Sequence, residues 1–277
     1  MATLLLRFLI YMTRYCLLYI LSIVTAIFHL SGCQHESISA TPQRLRLSQI
    51  KRDSFYARGD SVSLHYRATG ELVSYTAVTS GDLVVGTLNY DGKGQLTRSE
   101  EKPAPGVTSY SNYRTYAYNQ EGNLTTAEFY ATSYGKQIYS LRRIDKLEYN
   151  DIAQPVKMTT KTYMDGQLIS ISVAESLFRN GNVESVKIIN PVTQHTTITT
   201  FQYDDKPNPF YGLTEHPVGF VNSTYNRNNT IARLGGLEED VSHALTYDAN
   251  GLLIKQVLNA NLKSSRQISY TYKYESY

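Results

Sequence analysis

Hydrolysis of a glycosidic or peptide bond needs one side chain to give a proton and another to take it, and carboxylates and imidazoles are the usual pair. In this chain of 277 residues the candidates are Asp204-Asp205, Glu215-His216, Glu238-Glu239-Asp240, and the separate His65, His195 and His243. None stands at a spacing that a known site requires. Adjacent carboxylates on a loop are common turn formers, and neighbours in sequence need not face one another. There is no His-x-x-x-His pair, no Gly-x-Ser-x-Gly elbow and no glycine-rich phosphate loop. No cofactor and no metal is implied. The reading is a non-enzymatic binding or interaction module, with two alternatives. One is a glycan- or peptide-processing enzyme using carboxylates of the 204–240 region, and the other is a structural subunit of a surface assembly.

Cysteine chemistry is narrower still. Cys16 and Cys33 are the only cysteines, both near the N-terminus. A fold built from the rest of the chain therefore has no disulfide, no thiol nucleophile and no thiolate zinc site. The surroundings of Cys33 are specific: Arg7 and Arg14, an uncharged and mostly apolar run from Tyr15 to Leu30, then Leu30-Ser31-Gly32-Cys33, with no acidic residue before Glu36. This resembles the lipobox of bacterial lipoproteins. The resemblance implies cleavage between Gly32 and Cys33 and a diacylglycerol on the Cys33 thiol, which gives the mature protein a membrane as partner. An uncleaved transmembrane anchor is the alternative, and it would need about 20 apolar residues.

The organisation that follows is a signal peptide over 1–32, a lipid-anchored tether over 33–59 and one β domain over 60–277. The 27 Lys and Arg include Arg7 and Arg14, which leaves 25 basic residues against 24 acidic ones after the signal. Such a balance gives no basic footprint for nucleic acid. The expected partners are the membrane and, beyond it, a glycan or an envelope protein, in a bacterial envelope and at the outer membrane.

The elements that would position any site read as strands. From Ser61 onward, runs of β-branched and aromatic residues are broken by Gly, Asn, Asp and Pro. One formula recurs at Tyr66-Arg-Ala-Thr-Gly70-Glu-Leu72, Tyr90-Asp-Gly-Lys-Gly94-Gln-Leu96, Tyr118-Asn-Gln-Glu-Gly122-Asn-Leu124 and Tyr247-Asp-Ala-Asn-Gly251-Leu-Leu253. It reads as a hairpin in which Tyr ends a strand, Asp or Asn caps the turn, Gly takes positive φ and Leu opens the return strand. Tyr163-Met-Asp-Gly166 and Phe178-Arg-Asn-Gly181 are shorter versions suited to a type I′ turn, and Tyr149 to Pro155 is a degenerate copy. These turns resemble the YD repeats of Rhs-type proteins. Over about residues 60 to 277, the chain resembles a family of uncharacterised Bacteroidota-type lipoproteins, a domain of unknown function with a porin-like fold. That likeness is carried by Tyr203-Asp-Asp-Lys-Pro-Asn-Pro-Phe210, Asn228-Asn229 and the closing Tyr270-Thr-Tyr-Lys-Tyr274.

The fold class expected is all-β: an antiparallel meander of about fourteen strands, running from 61–67 to 265–275, in a strongly curved sheet or partial barrel. Residues 204–240, with Pro207, Pro209 and Pro217, read as an insertion of loop and short helical turns. It would cover one end of the sheet with Phe210, Tyr211 and Phe220, or act as a ligand lid. A bilayer-spanning barrel is rejected, because Lys273 and Glu275 share the two-residue phase of Tyr277 and would face lipid. The 21 tyrosines after Cys33 read as cross-strand packing before sugar stacking. Asp60-Ser61-Val62 resembles the acceptor for O-glycosylation in exported Bacteroidota-type proteins, which makes Ser61 a possible glycan site.

Overall fold

The computed structural model describes residues 45–53, 60–79, 82–105, 111–132, 138–211, 225–236, 240–260 and 268–277. The described strands are β1 (Leu45–Asp53), β2 (Asp60–Tyr66), β3 (Leu72–Thr79), β4 (Asp82–Tyr90), β5 (Leu96–Pro103), β6 (Asn112–Tyr118), β7 (Leu124–Thr132) and β8 (Tyr139–Tyr149). They continue as β9 (Pro155–Met164), β10 (Gln167–Arg179), β11 (Asn182–Ile189), β12 (Thr196–Pro207), β13 (Asn228–Gly235), β14 (Val241–Tyr247), β15 (Leu253–Ala260) and β16 (Ile268–Ser276). Each pairs antiparallel with its sequence neighbours, and β1 pairs with β16 to close a barrel. The expected curved sheet therefore closes fully, with sixteen strands instead of about fourteen. Closure satisfies the two edges that an open meander would leave exposed.

The two additional strands correct the expected boundaries. β1 lies inside the stretch read as tether, so the barrel begins at Leu45. The 204–240 stretch contains the last residues of β12 and the whole of β13, so part of it is strand; residues 212–224 and 237–239 lie outside the described residues. No helix occurs among the described residues. The signal peptide and Cys33 lie outside them, as do Glu215, His216, Phe220, Glu238 and Glu239.

The hairpin formula folds as its chemistry requires. Gly70, Gly94, Gly122 and Gly251 have φ of 93°, 78°, 87° and 79°. In the second turn, the Asp91 carboxylate accepts the Lys93 and Gln95 amides at 2.8 and 2.9 Å, and Asn119 and Asp248 cap their turns alike. Asp165-Gly166 and Asn180-Gly181 both have positive φ, as a type I′ turn demands. Ala153 holds the glycine position of the degenerate copy at φ 59°, which costs on the order of 1 to 2 kcal/mol.

The tyrosine of the formula has a second task that its own hairpin does not show. Its hydroxyl donates to the carbonyl at the start of an earlier strand: Tyr66 to Leu47 (2.7 Å), Tyr90 to Leu72 (2.6 Å), Tyr118 to Leu96 (2.9 Å) and Tyr149 to Leu124 (2.8 Å). Tyr203 reaches Val183 and Tyr274 reaches Leu253 in the same way. Each phenol ties one hairpin to the one before it, around the barrel. Burial pushes the Tyr66 phenol up to about 12, and it raises those of Tyr149, Tyr203 and Tyr274 as well, so the donors stay protonated.

Alternation decides what faces inward. Ile50, Val62, Leu64, Tyr75, Leu88, Leu96, Leu253, Tyr270 and Tyr272 are buried together, so the inner faces of β1 to β5, β15 and β16 share one core. Phe210, just beyond β12, is fully buried in that core, with its ring edge-on to Tyr272 at 6.1 Å. It fills the barrel at the end where the tyrosine turns lie. On β1, β15 and β16 the outer face carries charges. Lys51, Thr271 and Lys255 stand in one cross-strand row and are exposed, as are Lys273 and Glu275. Lys157 pairs with Glu148 at 2.8 Å, and Lys187 with Glu175 at 3.6 Å.

Candidate functional site

The sequence candidates for acid-base chemistry are not brought together. Asp204 is structural: its carboxylate accepts the Tyr247 hydroxyl and the amides of Lys206 and Asn229, the last two at 3.1 Å. Asp205, its neighbour, points to solvent with an 86% exposed side chain beside Lys206. Asp240 caps the Gly235 amide at 2.7 Å. His65 is exposed on the outer face of β2, and His195 is exposed in the turn before β12. Among the described histidines, only His243, on β14, points inward. Among the described residues, no group of three or more His, Cys, Asp and Glu could hold a metal.

Asp204 belongs instead to an amide network that the Tyr203 to Phe210 and Asn228-Asn229 stretches build. Asn208 donates to the Asn226 carbonyl at 2.8 Å and accepts the Phe210 amide at 3.0 Å. Asn229 donates to the Lys206 and Pro207 carbonyls, Asn228 donates to the Lys206 carbonyl, and the Asn228 amide is held by Asn182. The Tyr203 to Phe210 and Asn228-Asn229 stretches thus position the Phe210 plug together. Tyr211, expected to anchor the same segment, is 55% exposed and does not.

His243 sits beside Gln256, whose side chain also accepts the Tyr272 hydroxyl at 2.6 Å. Burial, and then the nearby Arg233 charge, push the imidazole down to about 4. The unfolded chain, with its ordinary value of 6.5, binds this proton first. Stability contributed by neutral His243 is therefore complete above pH 6.5 and lost as pH falls toward 4, up to about 3 kcal/mol in all. Urea melts over that window are expected to show the slope in the wild type and to lose it in His243→Gln. Equal slopes in both proteins would show that His243 does not carry the effect.

Two of the outer tyrosines are occupied in packing. Tyr113 and Tyr130 stack on each other with centroids 4.7 Å apart, and the Arg98 guanidinium lies 3.8 Å from the Tyr113 centroid. Both Tyr113 faces are occupied by the protein itself, which is the packing role expected. Ser61 is on the outer face of β2, opposite Lys51 and Val78. Asp60 turns inward instead, buried and ion-paired with Arg52.

The feature that sequence reasoning missed is the inner wall opposite the core. Arg143 and Asp145 of β8, Thr160 and Thr162 of β9, and Ser170 and Ser172 of β10 face inward in two adjacent rows. Arg114 and Phe129 extend the first row across β6 and β7. A third row is apolar, running through Leu147, Met158, Ala174 and Ile188. Met158 and Ile188 are each 38% exposed although they face the interior, so this wall is less tightly packed than the core side. A period-two pattern could have marked these residues, but their mixed chemistry hides which face is inside.

No protein family and no curated relative matches the chain. Among solved structures, a porin-like protein from Bacteroides uniformis is similar over 84% of this chain and 99% of its own, at 15% identity and a TM-score of 0.55. A second porin-like protein, from Bacteroides vulgatus, covers 83% of this chain and 99% of its own at 12% identity, with a TM-score of 0.40. The likeness to the first is one of fold: this chain has a porin-like barrel.

Proposed function

We propose that the chain is a lipid-anchored protein of the bacterial cell envelope, held at the outer membrane through Cys33, whose barrel is a non-enzymatic binding module. The observation that carries this reading is the distribution of charge and core. Lys51, Lys255, Lys273 and Glu275 point outward, while the apolar residues of the same strands point inward. Charged side chains at the bilayer centre cost about 2 to 4 kcal/mol each in a lipid-facing strand. The barrel accordingly stands in water, and its membrane attachment comes from the lipobox. A porin-like fold fits an envelope location, and the scattered carboxylates and histidines favour binding over turnover.

Mass spectrometry of the mature N-terminus tests the anchor. The expected product begins at Cys33 with acyl groups on it, and Cys33→Ala shifts the protein out of the membrane fraction. An N-terminus at Met1, or an unacylated Cys33, would overturn the reading. Reproducible hydrolysis of an envelope glycan or peptide, lost in Asp204→Ala/Asp205→Ala, would overturn its non-enzymatic half.

A further inference from the structure

We infer that two copies of this chain pair through β10, antiparallel and edge to edge. The pairing goes beyond the binding-module reading and does not depend on it, because the edge belongs to the barrel with or without a lipid. Closure joins the first strand to the last, yet neighbouring strands end at different heights. The ladder between β10 and β11 stops at Val173 and Ile189, where the chain turns through Asn190 to His195 into β12. The ladder between β10 and β9 continues past Val173 to Gln167. Among the described residues, the six from Gln167 to Ser172 are therefore paired on one side only. That leaves an edge of about 20 Å. Gln167 to Ser170 are exposed, Leu168 by 48% and Ile169 by 54%.

Open edges are normally guarded by charged side chains or proline, and Gln167-Leu168-Ile169-Ser170-Ile171-Ser172 has neither. It is an uncharged, β-prone run of the kind that adds to another strand. Its one irregularity is an extra residue at Ile169, where pairing to β9 shifts between Leu168 and Ser170. That bulge makes the segment self-complementary. Leu168 and Ile171 share the outer face, opposite Tyr163 and Lys161, while Gln167 and Ser172 share the inner face, opposite Met164 and Thr160. A two-fold axis between Ile169 and Ser170 then sets Leu168 against Ile171 of the second copy, and Gln167 against Ser172 of the second copy. Like faces meet along the whole free segment. Each Met164-Asp165-Gly166 tip comes to the Asn190 to His195 turn of the second copy, which has no acidic residue to oppose Asp165. Lys161, behind Ile171 on β9, stands about 10 Å from the added strand. The axis reverses the barrel, so the two N-terminal segments leave opposite ends of the pair. Leu45 follows Cys33 by twelve positions, a reach of about 40 Å when extended, so two anchored copies can lie side by side along one bilayer. Confinement to that surface raises their effective concentration, which suits a short edge.

The test uses the unlipidated chain from Gln34 to Tyr277, which holds every strand and contains no cysteine. Sedimentation equilibrium is measured from about 1 to 200 μM, the range of a small, transient contact. Wild type is expected to pass from monomer to dimer within it. Ile169→Lys brings one lysine from each copy to the axis and should weaken the dimer at least about tenfold, with an unchanged melting temperature because Ile169 is exposed. Ile169→Glu should do the same. A mixture of the two variants should recover the dimer, since lysine then meets glutamate, and local damage to either chain would not be rescued in this way. Ile169→Cys should oxidise to a disulfide-linked dimer while His65→Cys, exposed on the outer face of β2, should not, which keeps the test informative if a charged variant folds poorly. Three results would each overturn the inference: a wild-type chain still monomeric at the top of the range, an Ile169→Lys variant that dimerises as well as wild type, or a mixture that stays monomeric. The first would leave the edge to a strand of another polypeptide. None of them touches lipidation of Cys33, which is measured on the full chain, so the two readings fail separately.

Discussion

Replacing Gly86 with alanine is expected to lower the unfolding free energy by about 3 kcal/mol or more, and with valine by more still. Tyr75 on β3, Gly86 on β4 and Glu101 on β5 stand in one row across the inner face. The Tyr75 ring crosses β4 over Gly86, and its hydroxyl reaches the Glu101 carboxylate, which Asn112 holds from the other side at 2.7 Å. A Cβ at residue 86 would lie 2.2 to 2.6 Å from three atoms of that ring, far inside contact distance. Alanine must expel one of the most buried side chains of the core, and with it a hydrogen bond to a charged group. In a domain of this size the loss corresponds to a fall of roughly 6 to 12 °C in melting temperature. Tyr75→Ala removes the obstruction, so the double variant Gly86→Ala/Tyr75→Ala is expected to be less destabilised than the two single effects added together. Additive effects in calorimetric melts would show that the ring does not depend on the missing side chain.

Gly86 also marks where sequence reasoning stops. The turn glycines were legible because their rule is local: Tyr, a capping Asp or Asn, Gly four residues on, Leu two further. Gly86 has no such signature, since the residue that needs it is eleven positions away on another strand. The tyrosine hydroxyl ladder was hidden for the same reason. Tyr118 ends its own hairpin as expected, but its partner carbonyl is that of Leu96, one hairpin earlier.

The two missed strands follow from pattern failures of different kinds. In β1, alternation breaks at a bulge between Leu47 and Gln49, and the strand's partner, β16, lies at the other end of the chain. In β13, pairing to β12 slips twice, and the segment sits among prolines and glycines that signal loop. The alternation of the last strand was legible because period two needs no partner: Tyr270 and Tyr272 are buried, while Lys273 and Glu275 are exposed. For the candidate site the balance is reversed. Asp204, Asp205 and His243 were chosen by chemical type, and the barrel gives them a cap, a solvent-facing position and an inward position far apart in role. The inner row of Arg143, Thr162 and Ser170 joins three strands, so it exists only once the register does.

Phe210→Ala is expected to cost about 3 to 5 kcal/mol, and Tyr211→Ala almost nothing. Both aromatics follow the prolines that end β12, and sequence alone gives them the same role. The structure separates them: Phe210 is 0% exposed against Tyr272, while Tyr211 is more than half exposed. Deleting the Phe210 ring leaves a cavity in a core whose other members are fixed by sheet register and cannot collapse into it. The surrounding amide network raises the cost, because Asn208 is oriented by bonds to both Phe210 and Asn226 and is itself buried. Phe210→Leu should recover more than half of the lost stability by refilling most of that volume, which a merely local turn effect would not predict. Chemical denaturation of the three variants decides it. A Phe210→Ala midpoint close to that of Tyr211→Ala would mean that the 208–210 segment does not plug the barrel.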